Sequence, residues 1–426
     1  MGHDVLVIGG GILGFSSAYH LKLKHPDDKI VVIDKNPGPG QGNTAKSEGA
    51  FRNVFASQTN FLLADSTIDW LDHVQRDLGH DLGLHYVGYL WLFSEAQYER
   101  LSGTLRLMSE RGIELRALRR EEIHDCLPDL VARFAGDEDA ELMDLEPVDI
   151  GIYAPKCGSV DADAVCRFYE SEFIKLGGEV KYSTKVTRLL LKPKPELDIP
   201  GEPFIWQKKT VAGAKTERGT ICADTTVLAT GAWAEELLSP IGVDPMMRPK
   251  KRQLFIFKDE RLSRLFKIKG LSREGVLPLT ILPSCGIYLK ADLTEGNIWL
   301  GCADNFGRGF GLEEEPEAEE DYYLNNLYHV VVKYFPCFSN IRPINMWAGQ
   351  YAINGQDMTP IVAPFPGMIY VGAASGSGIM KCDAIGRITE AVYDGKKKVN
   401  LYGDVEFNVA DVGLASRSVE KETFVI

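Results

Sequence analysis

The sequence predicts an α/β protein, α+β overall, made of two interleaved domains. Three observations predict it. Apolar runs at 5–8, 30–33, 225–230 and 368–375 read as buried parallel strands, which need apolar residues on both faces. Two glycine-rich stretches, "VIGGGILGFSSA" at 7–18 and "AASGSGIMKCDAIGR" at 373–387, each lead from such a strand into a helix. Between these regions the pattern changes twice, to amphipathic helices and to short alternating aromatic runs such as "QLFIF", "GIYLKA" and "NIWLGC", the signature of an antiparallel sheet. Residues 1–60, 151–240 and 352–410 are therefore expected to form one discontinuous domain, and 61–150 and 241–351 a smaller second domain on a mixed or antiparallel sheet. Residues 411–426 form a tail whose apolar end, Phe424-Val425-Ile426, is expected to dock on something.

Each element follows in order. Val5-Leu-Val-Ile8 is the first strand, 12–24 a helix stopped near Pro26, and Ile30-Val-Val-Ile33 the second strand, a β-α-β crossover of about thirty residues. The stretch "LADSTIDWLDHVQRDLG" is an amphipathic helix of the inserted region, and "YVGYLWLF" an aromatic strand. Asp161 is placed to cap a helix on which Val165, Phe168, Tyr169, Phe173 and Leu176 recur at helical spacing before the Gly177-Gly178 stop. "EVKYSTKVTRLLL" reads as one strand, 193–216 as a lengthened β-meander, and the acidic run at 313–321 as a solvated helix start.

Composition excludes several classes. A net charge of −13 argues against a nucleic-acid or anionic-membrane surface, because phosphate binding needs clustered cations, and "RPKKRQ" and "GKKKV" read as solvated edges. The eight cysteines form no C-x-x-C pair, and neither H-E-x-x-H nor H-x-H occurs, so neither a disulfide framework nor a metal site is signalled. G-x-S-x-G is absent. The apolar start has no basic n-region, and no run of eighteen apolar residues occurs, so a cytoplasmic protein without a transmembrane segment is expected.

The chemistry resides in the glycine-rich stretches. Gly9, Gly11 and Gly14 form G-x-G-x-x-G between strand and helix. Gly9 permits the turn, Gly11 lets backbone approach a pyrophosphate, and Gly14 with Ala18 lets the helix pack on the strand. Asp34 ends the second strand twenty residues beyond Gly14, where a carboxylate accepts from a ribose hydroxyl. NAD and FAD share this fingerprint. The turn Ala229-Thr230-Gly231 lets backbone lie against a cofactor. Gly376 and Gly378 open a helix whose free N–H groups suit the negative charge of a reduced flavin, a site that NAD does not need. FAD is thus the expected cofactor, with Ile12, Lys35, Gly49, Trp233, Ile379, Met380 and Lys381 flanking these motifs as further contacts. Arg52 is one cation among apolar neighbours, and such a charge needs a partner: a substrate carboxylate or a protein carboxylate.

With "SEGAFR", "GSVDADAV", "LATGAWA", "RPKKRQLF", "PSCGIYLKA", "WAGQYA" and "GAASGSGIMKCDAIGR", essentially the whole chain resembles the FAD-dependent D-amino-acid oxidase/sarcosine oxidase-like superfamily. Within it, "AFRNVF", "RPKKR", "LEEEPEAEEDYY", "WAGQY" and "SGSGIMK" are most similar to archaeal dye-linked L-proline dehydrogenases. The resemblance implies a glutathione-reductase-like FAD-binding Rossmann domain and hydride transfer from a substrate C–N bond to flavin N5. The substrate is a small amino acid or secondary amine, L-proline being the best single choice. A 2-hydroxy-acid dehydrogenase and an FAD-binding assembly protein are the alternatives. It implies that Ser47 lies near the pyrophosphate and ring, although an ordinary loop serine reads the same way, and that Val186 touches adenine with its backbone or is simply a buried β-branched residue. Arg52 matches the arginine beneath the ring. Tyr288, Trp347 and Tyr351 fall where the family builds its substrate pocket, and Met380 falls where sarcosine oxidases carry a lysine, with Lys381 displaced by one. Gly349 replaces the cysteine that attaches flavin in some relatives, so the FAD is expected to be non-covalent. No residue distinguishes a quinone, a dye or a partner flavoprotein as electron acceptor, or a monomer from a homo-oligomer.

Overall fold

The computed structural model describes residues 2–304 and 307–424. Two eight-stranded sheets organise it. In the first, Met368–Gly372, Gly219–Leu228, His3–Ile8, Ile30–Ile33 and Glu179–Lys181 lie side by side in parallel register, with Ile361–Phe365 antiparallel on one edge. Val5, Val7, Val31 and Val32 are fully buried, the double-sided burial that their apolar run predicts. In the second sheet the order is Asn345–Ile353, Arg248–Phe257, Asn297–Cys302, Ile287–Asp292, Leu279–Ile281, Tyr89–Phe93, Ile150–Ala154 and Arg116–Arg119. Its pairings are antiparallel except that between Leu279–Ile281 and Tyr89–Phe93. The fold is thus the mixed α/β arrangement expected.

Helix Ile12–Lys24 has the predicted bounds and packs against Ala162–Lys175 and Cys382–Tyr393. Asp161 caps the second of these by accepting from the amides of Asp163 and Ala164. Gly386 exists for the contact with the third: a Cβ there would overlap Ser16 Oγ. Ser16 Oγ donates to the Cys382 carbonyl at 2.6 Å, and His20 Nε2 meets Asp383 Oδ1 at 2.7 Å inside the interface.

Four expectations are corrected. Helix Gln58–Arg76, assigned to the inserted region, packs on Cys382–Tyr393 and buries Leu63, Ala64, Ile68 and Leu71 in the core of the first sheet. Its apolar stripe finds the nearest apolar helix, whatever the composition of its sequence neighbours. Conversely, Ile150–Ala154 joins the second sheet. "EVKYSTKVTRLLL" is two strands, Glu179–Lys181 and Val186–Lys194, broken where Ser183 takes a left-handed conformation (φ 50°). "RPKKRQ" is no solvated edge: it lies in Arg248–Phe257, inside the second sheet, with Lys250 and Lys251 buried.

Candidate active site

The carboxyl ends of the parallel strands face the second sheet across a cleft of about 1740 Å³, its open mouth included. This is where an open α/β sheet binds ligands. At one end the cleft is lined by Asp34, Lys35, Val186 and Trp233, at the other by Glu48, Arg252, Tyr288, Tyr351 and Met380.

The glycine turn is fixed by close backbone approach. Gly9 (φ 109°) lies where a Cβ would come within 2.5 Å of the Ala229 carbonyl, and a Cβ on Gly14 would overlap the Gly9 carbonyl. Gly11 differs: a Cβ there meets only Thr44 Oγ1, at 3.4 Å, and opens into the cleft. Asp34 braces the turn, Oδ2 accepting from the Gly10 amide and Oδ1 from the Asn36 amide, both at 2.7 Å. Thr44 Oγ1 accepts from the Ile12 amide at 3.2 Å.

The C-terminal turn is strained. Ala373 (φ 54°), Ser375 (φ 51°) and Gly376 (φ 79°) are left-handed in close succession, which costs about 1–2 kcal/mol at each non-glycine. Hydrogen bonds hold it, the Ser375 amide donating to the Ala352 carbonyl and the Asn354 amide to Ser375 Oγ, both at 3.0 Å. The Tyr351 ring lies against Gly376 where a Cβ would be. Such strain concentrates at ligand sites.

The electrostatics of the Tyr351 end are set by burial. Desolvation pushes the Glu48 carboxyl up to about 7, against Lys290 and a hydrogen bond with Tyr288 that favour its charged form. Lys290 donates to the Glu48 carbonyl, and its own ammonium is pushed down by burial. Arg252 Nη1 donates to Asp304 Oδ1 at 2.9 Å, and its guanidinium lies 5.4 Å from the Tyr351 ring centre. Burial raises the Tyr351 hydroxyl to about 12, so both it and Tyr288 stay neutral hydrogen-bonding groups.

The residues fit FAD. Gly11 opens into space that a side chain would fill, and Gly376 lets the turn lie against the Tyr351 ring. Glu48 Oε2, Thr230 Oγ1 and Gln350 Oε1 are buried in the cleft wall with no protein partner among the described residues. Residues 4–391 match the family model described as FAD dependent oxidoreductase.

The chain belongs to that family.

The chain is similar to the FAD-dependent oxidoreductase domain-containing protein 1 of Xenopus laevis: 22% identical over 433 residues, 93% of this chain and 81% of the relative. It is also 21% identical to sarcosine oxidase subunit beta of Arthrobacter sp. over 390 residues, 89% of this chain and 84% of that one. Among solved structures, L-proline dehydrogenase from P. horikoshii matches with a TM-score of 0.73 at 22% identity, over 94% of this chain and 96% of that chain. Glycine oxidase from Geobacillus kaustophilus gives 0.71 at 17% identity, over 92% and 95%. These likenesses support the fold, and the family membership makes the protein an FAD-dependent oxidoreductase.

Of the residues singled out from sequence, Gly9, Gly11, Ile12, Asp34, Lys35, Ser47, Val186, Ala229, Gly231, Trp233, Tyr288, Tyr351, Gly376, Gly378, Ile379 and Met380 line the cleft. Five do not. Gly14 and Gly49 serve the backbone, a Cβ on Gly49 overlapping the Val160 carbonyl. Trp347 donates through Nε1 to the Lys46 carbonyl at 3.1 Å and packs on Trp299. Arg52 pairs with no protein carboxylate among the described residues. It donates to the carbonyls of Val54 and Phe424 and lies over the Phe55 ring, holding the tail, whose Phe424 is buried beside Trp91. The expected docking of the tail is thus seen at Phe424; Val425 and Ile426 lie outside the described residues. Lys381 Nζ donates to Asn60 Oδ1 at 2.8 Å and Ser377 Oγ at 2.6 Å, away from the cleft, and burial lowers it to about 7.

Sequence reasoning missed Glu48, Arg252 and Thr44. Glu48 is the one acid in the quoted "SEGAFR", and Arg252 immediately precedes the alternating "QLFIF"; both signals were legible. The acidic run is also more than solvated: Glu314 bridges Lys35 and Trp233 Nε1 at the cleft mouth, and a helix begins only at Glu320.

The two glycines make a contrast. Gly11→Val should fold normally yet purify without flavin absorbance, because its side chain would enter the cleft. Gly14→Ala should lose about 1–3 kcal/mol of stability by overpacking. Full flavin occupancy in Gly11→Val contradicts this arrangement.

Proposed function

We propose that this enzyme oxidises the C–N bond of a small amino acid or secondary amine, L-proline being the best single substrate, and that its FAD is held non-covalently. The observation that carries the reading is the far end of the cleft. A guanidinium (Arg252), a proton-accepting carboxyl (Glu48) and two aromatic walls (Tyr288, Tyr351) converge there beside the Gly376–Met380 turn. The solved L-proline dehydrogenase and glycine oxidase on this fold support an amino-acid substrate.

The roles divide by chemistry. Arg252, oriented by Asp304, binds the substrate carboxylate, taking the place expected of Arg52. Tyr288 and Tyr351 enclose a small apolar ring. Glu48 accepts the proton of the substrate ammonium and frees its lone pair. Gly9, Gly11 and the Ile12 amide receive the pyrophosphate, Asp34 and Val186 the adenosine end, and Gly376–Met380 the ring. FAD bound there supplies the hydride acceptor. Eight free cysteines and no helix long and apolar enough to cross a membrane, among the described residues, accord with a cytoplasmic enzyme. Neither cysteine nor histidine lines the cleft, and a Cβ at Gly349 would stand 2.8 Å from Lys46 Cβ, which supports non-covalent binding.

Three measurements test this. Acid precipitation should release all flavin into the supernatant; colour left in the pellet overturns the non-covalent assignment. Under anaerobic conditions L-proline should bleach the flavin, and Arg252→Ala should lower kcat/KM by about 30- to 1,000-fold, the loss of about 2–4 kcal/mol of a charge-assisted pair. Bleaching by a 2-hydroxy acid but not by L-proline or sarcosine rejects the amine substrate. Finally, Glu48 accepts a proton only when ionised, so kcat/KM should rise as pH passes through about 7. Glu48→Gln should remove that inflection and lower kcat about 100-fold or more.

A further inference from the structure

Far from the cleft, the meander Val186–Lys194 and Lys208–Thr216 projects a loop, 195–207, whose apolar side chains face water. Ile205 is 94% exposed and Trp206 68%, with Leu197 and Ile199 close to half. Trp206 stacks on Phe204 at 5.8 Å. The loop is ordered by its own hydrogen bonds: Glu202 accepts from the Leu197 amide at 3.2 Å and from Gln207 Nε2 at 3.0 Å, and the Phe204 amide donates to Gln207 Oε1 at 2.7 Å. It is therefore a preformed display of apolar groups.

Beneath this tip the ribbon is basic. Residues 185–218 hold eight lysines and arginines against four acids, in a chain of net charge −13. Five of the eight, Arg188, Lys192, Lys194, Lys208 and Lys215, share one face. Lys194 stands directly opposite Lys208, and Arg188 opposite Lys215. Lys192 shares the face of Arg188 and Lys194, because alternate residues of a strand point the same way. Like charges directly across a ladder are unfavourable. Two such pairs on one ribbon, all four side chains exposed, suit a polyanionic partner. Of the acids near the tip, Glu202 is held within the loop, leaving Glu196 and Asp198.

We infer that the 186–216 ribbon is a membrane-interface anchor, with Ile205 and Trp206 entering the headgroup layer and the lysine face meeting anionic lipid. An apolar tip above a basic collar is the composition that an anionic bilayer surface recognises, area and charge adding in the same contact. The expectation that the overall charge excludes such a surface fails because a Debye length of about 8 Å lets a ribbon act on its own charges. Lys194 is eight residues along the strand from Val186 at the cleft wall, roughly 26 Å at about 3.3 Å per residue, so this inference does not depend on the substrate reading.

The test is co-sedimentation of the full-length, FAD-loaded protein with vesicles of phosphatidylglycerol and phosphatidylcholine, or of phosphatidylcholine alone. Binding should require the anionic lipid, weaken in 0.5 M salt as a screening length of about 4 Å predicts, and shift tryptophan emission to the blue. Ile205→Ser/Trp206→Ser and Lys194→Glu/Lys208→Glu should each reduce partitioning at least tenfold, with flavin content and thermal midpoint unchanged. No binding to anionic vesicles, equal binding to phosphatidylcholine alone, or full binding by either double variant overturns the inference. Conversion of an oligomer to a smaller species by the Ile205/Trp206 change, without vesicle binding by the parent, assigns the patch to a second copy of the chain instead.

Discussion

Everything in the cleft depends on how closely helix Cys382–Tyr393 crosses helix Ile12–Lys24. The crossing is set by a missing side chain: Gly386 admits Ser16 and His20. It is locked by a buried carboxylate. Burial alone would push Asp383 up, but His20 and Arg387, by charge and hydrogen bond, hold it below the usual carboxylate range, and Tyr169 donates to it at 3.2 Å. Removing one partner of such a buried pair leaves an uncompensated charge, at a cost of about 3–5 kcal/mol. Because the two helices follow the glycine turns, this contact brings residues 9–14 and 373–380 to one cleft, although they are separated by most of the chain.

The same low dielectric decides the charge state of the opposite wall. Glu48 has a lysine beside it, which ordinarily favours ionisation. Lys290, however, directs its ammonium to the Glu48 backbone carbonyl and is itself penalised by burial, so desolvation prevails and the carboxyl sits near neutrality. Arg252, whose charge is delocalised and weakly hydrated, is held by Asp304. A cleft wall thus carries one permanent cation and one group poised to exchange a proton, a division of labour produced by packing and not by residue type alone.

How much of this the sequence discloses depends on the range of the interaction. The parallel strands are legible because burial on both faces leaves a run of apolar residues, and the glycine turn because its three glycines answer local backbone demands. Arg252 was hidden inside "RPKKRQ", since the partners that let those cations enter a sheet, Asp304 for Arg252 and Glu313 and Glu319 for Lys251, lie more than fifty residues away in sequence. Arg52 misled for a related reason. Its isolation among apolar neighbours correctly signals a need for a partner, but that partner is the carbonyl of Phe424, 372 residues on, where the chain returns. Helix Gln58–Arg76 shows the limit for domains: composition places it with its neighbours in sequence, while its apolar stripe packs where an apolar surface is available.

Charge obeys the same distinction between totals and places. A net charge of −13 describes the chain seen from many Debye lengths away, whereas the face of Lys192, Lys194 and Lys208 is felt at contact. Opposed like charges on an exposed ribbon cost each pair only about 0.2–1 kcal/mol, small enough for the fold to tolerate in isolation. The cleft wall cannot tolerate its buried charges so cheaply: Arg252 is held by Asp304, and the ammonium of Lys290 is pushed down by burial. The two treatments of lysine follow from solvent access. Where water is excluded, the protein must supply the compensating group itself; where water is present, it can leave that place to a partner.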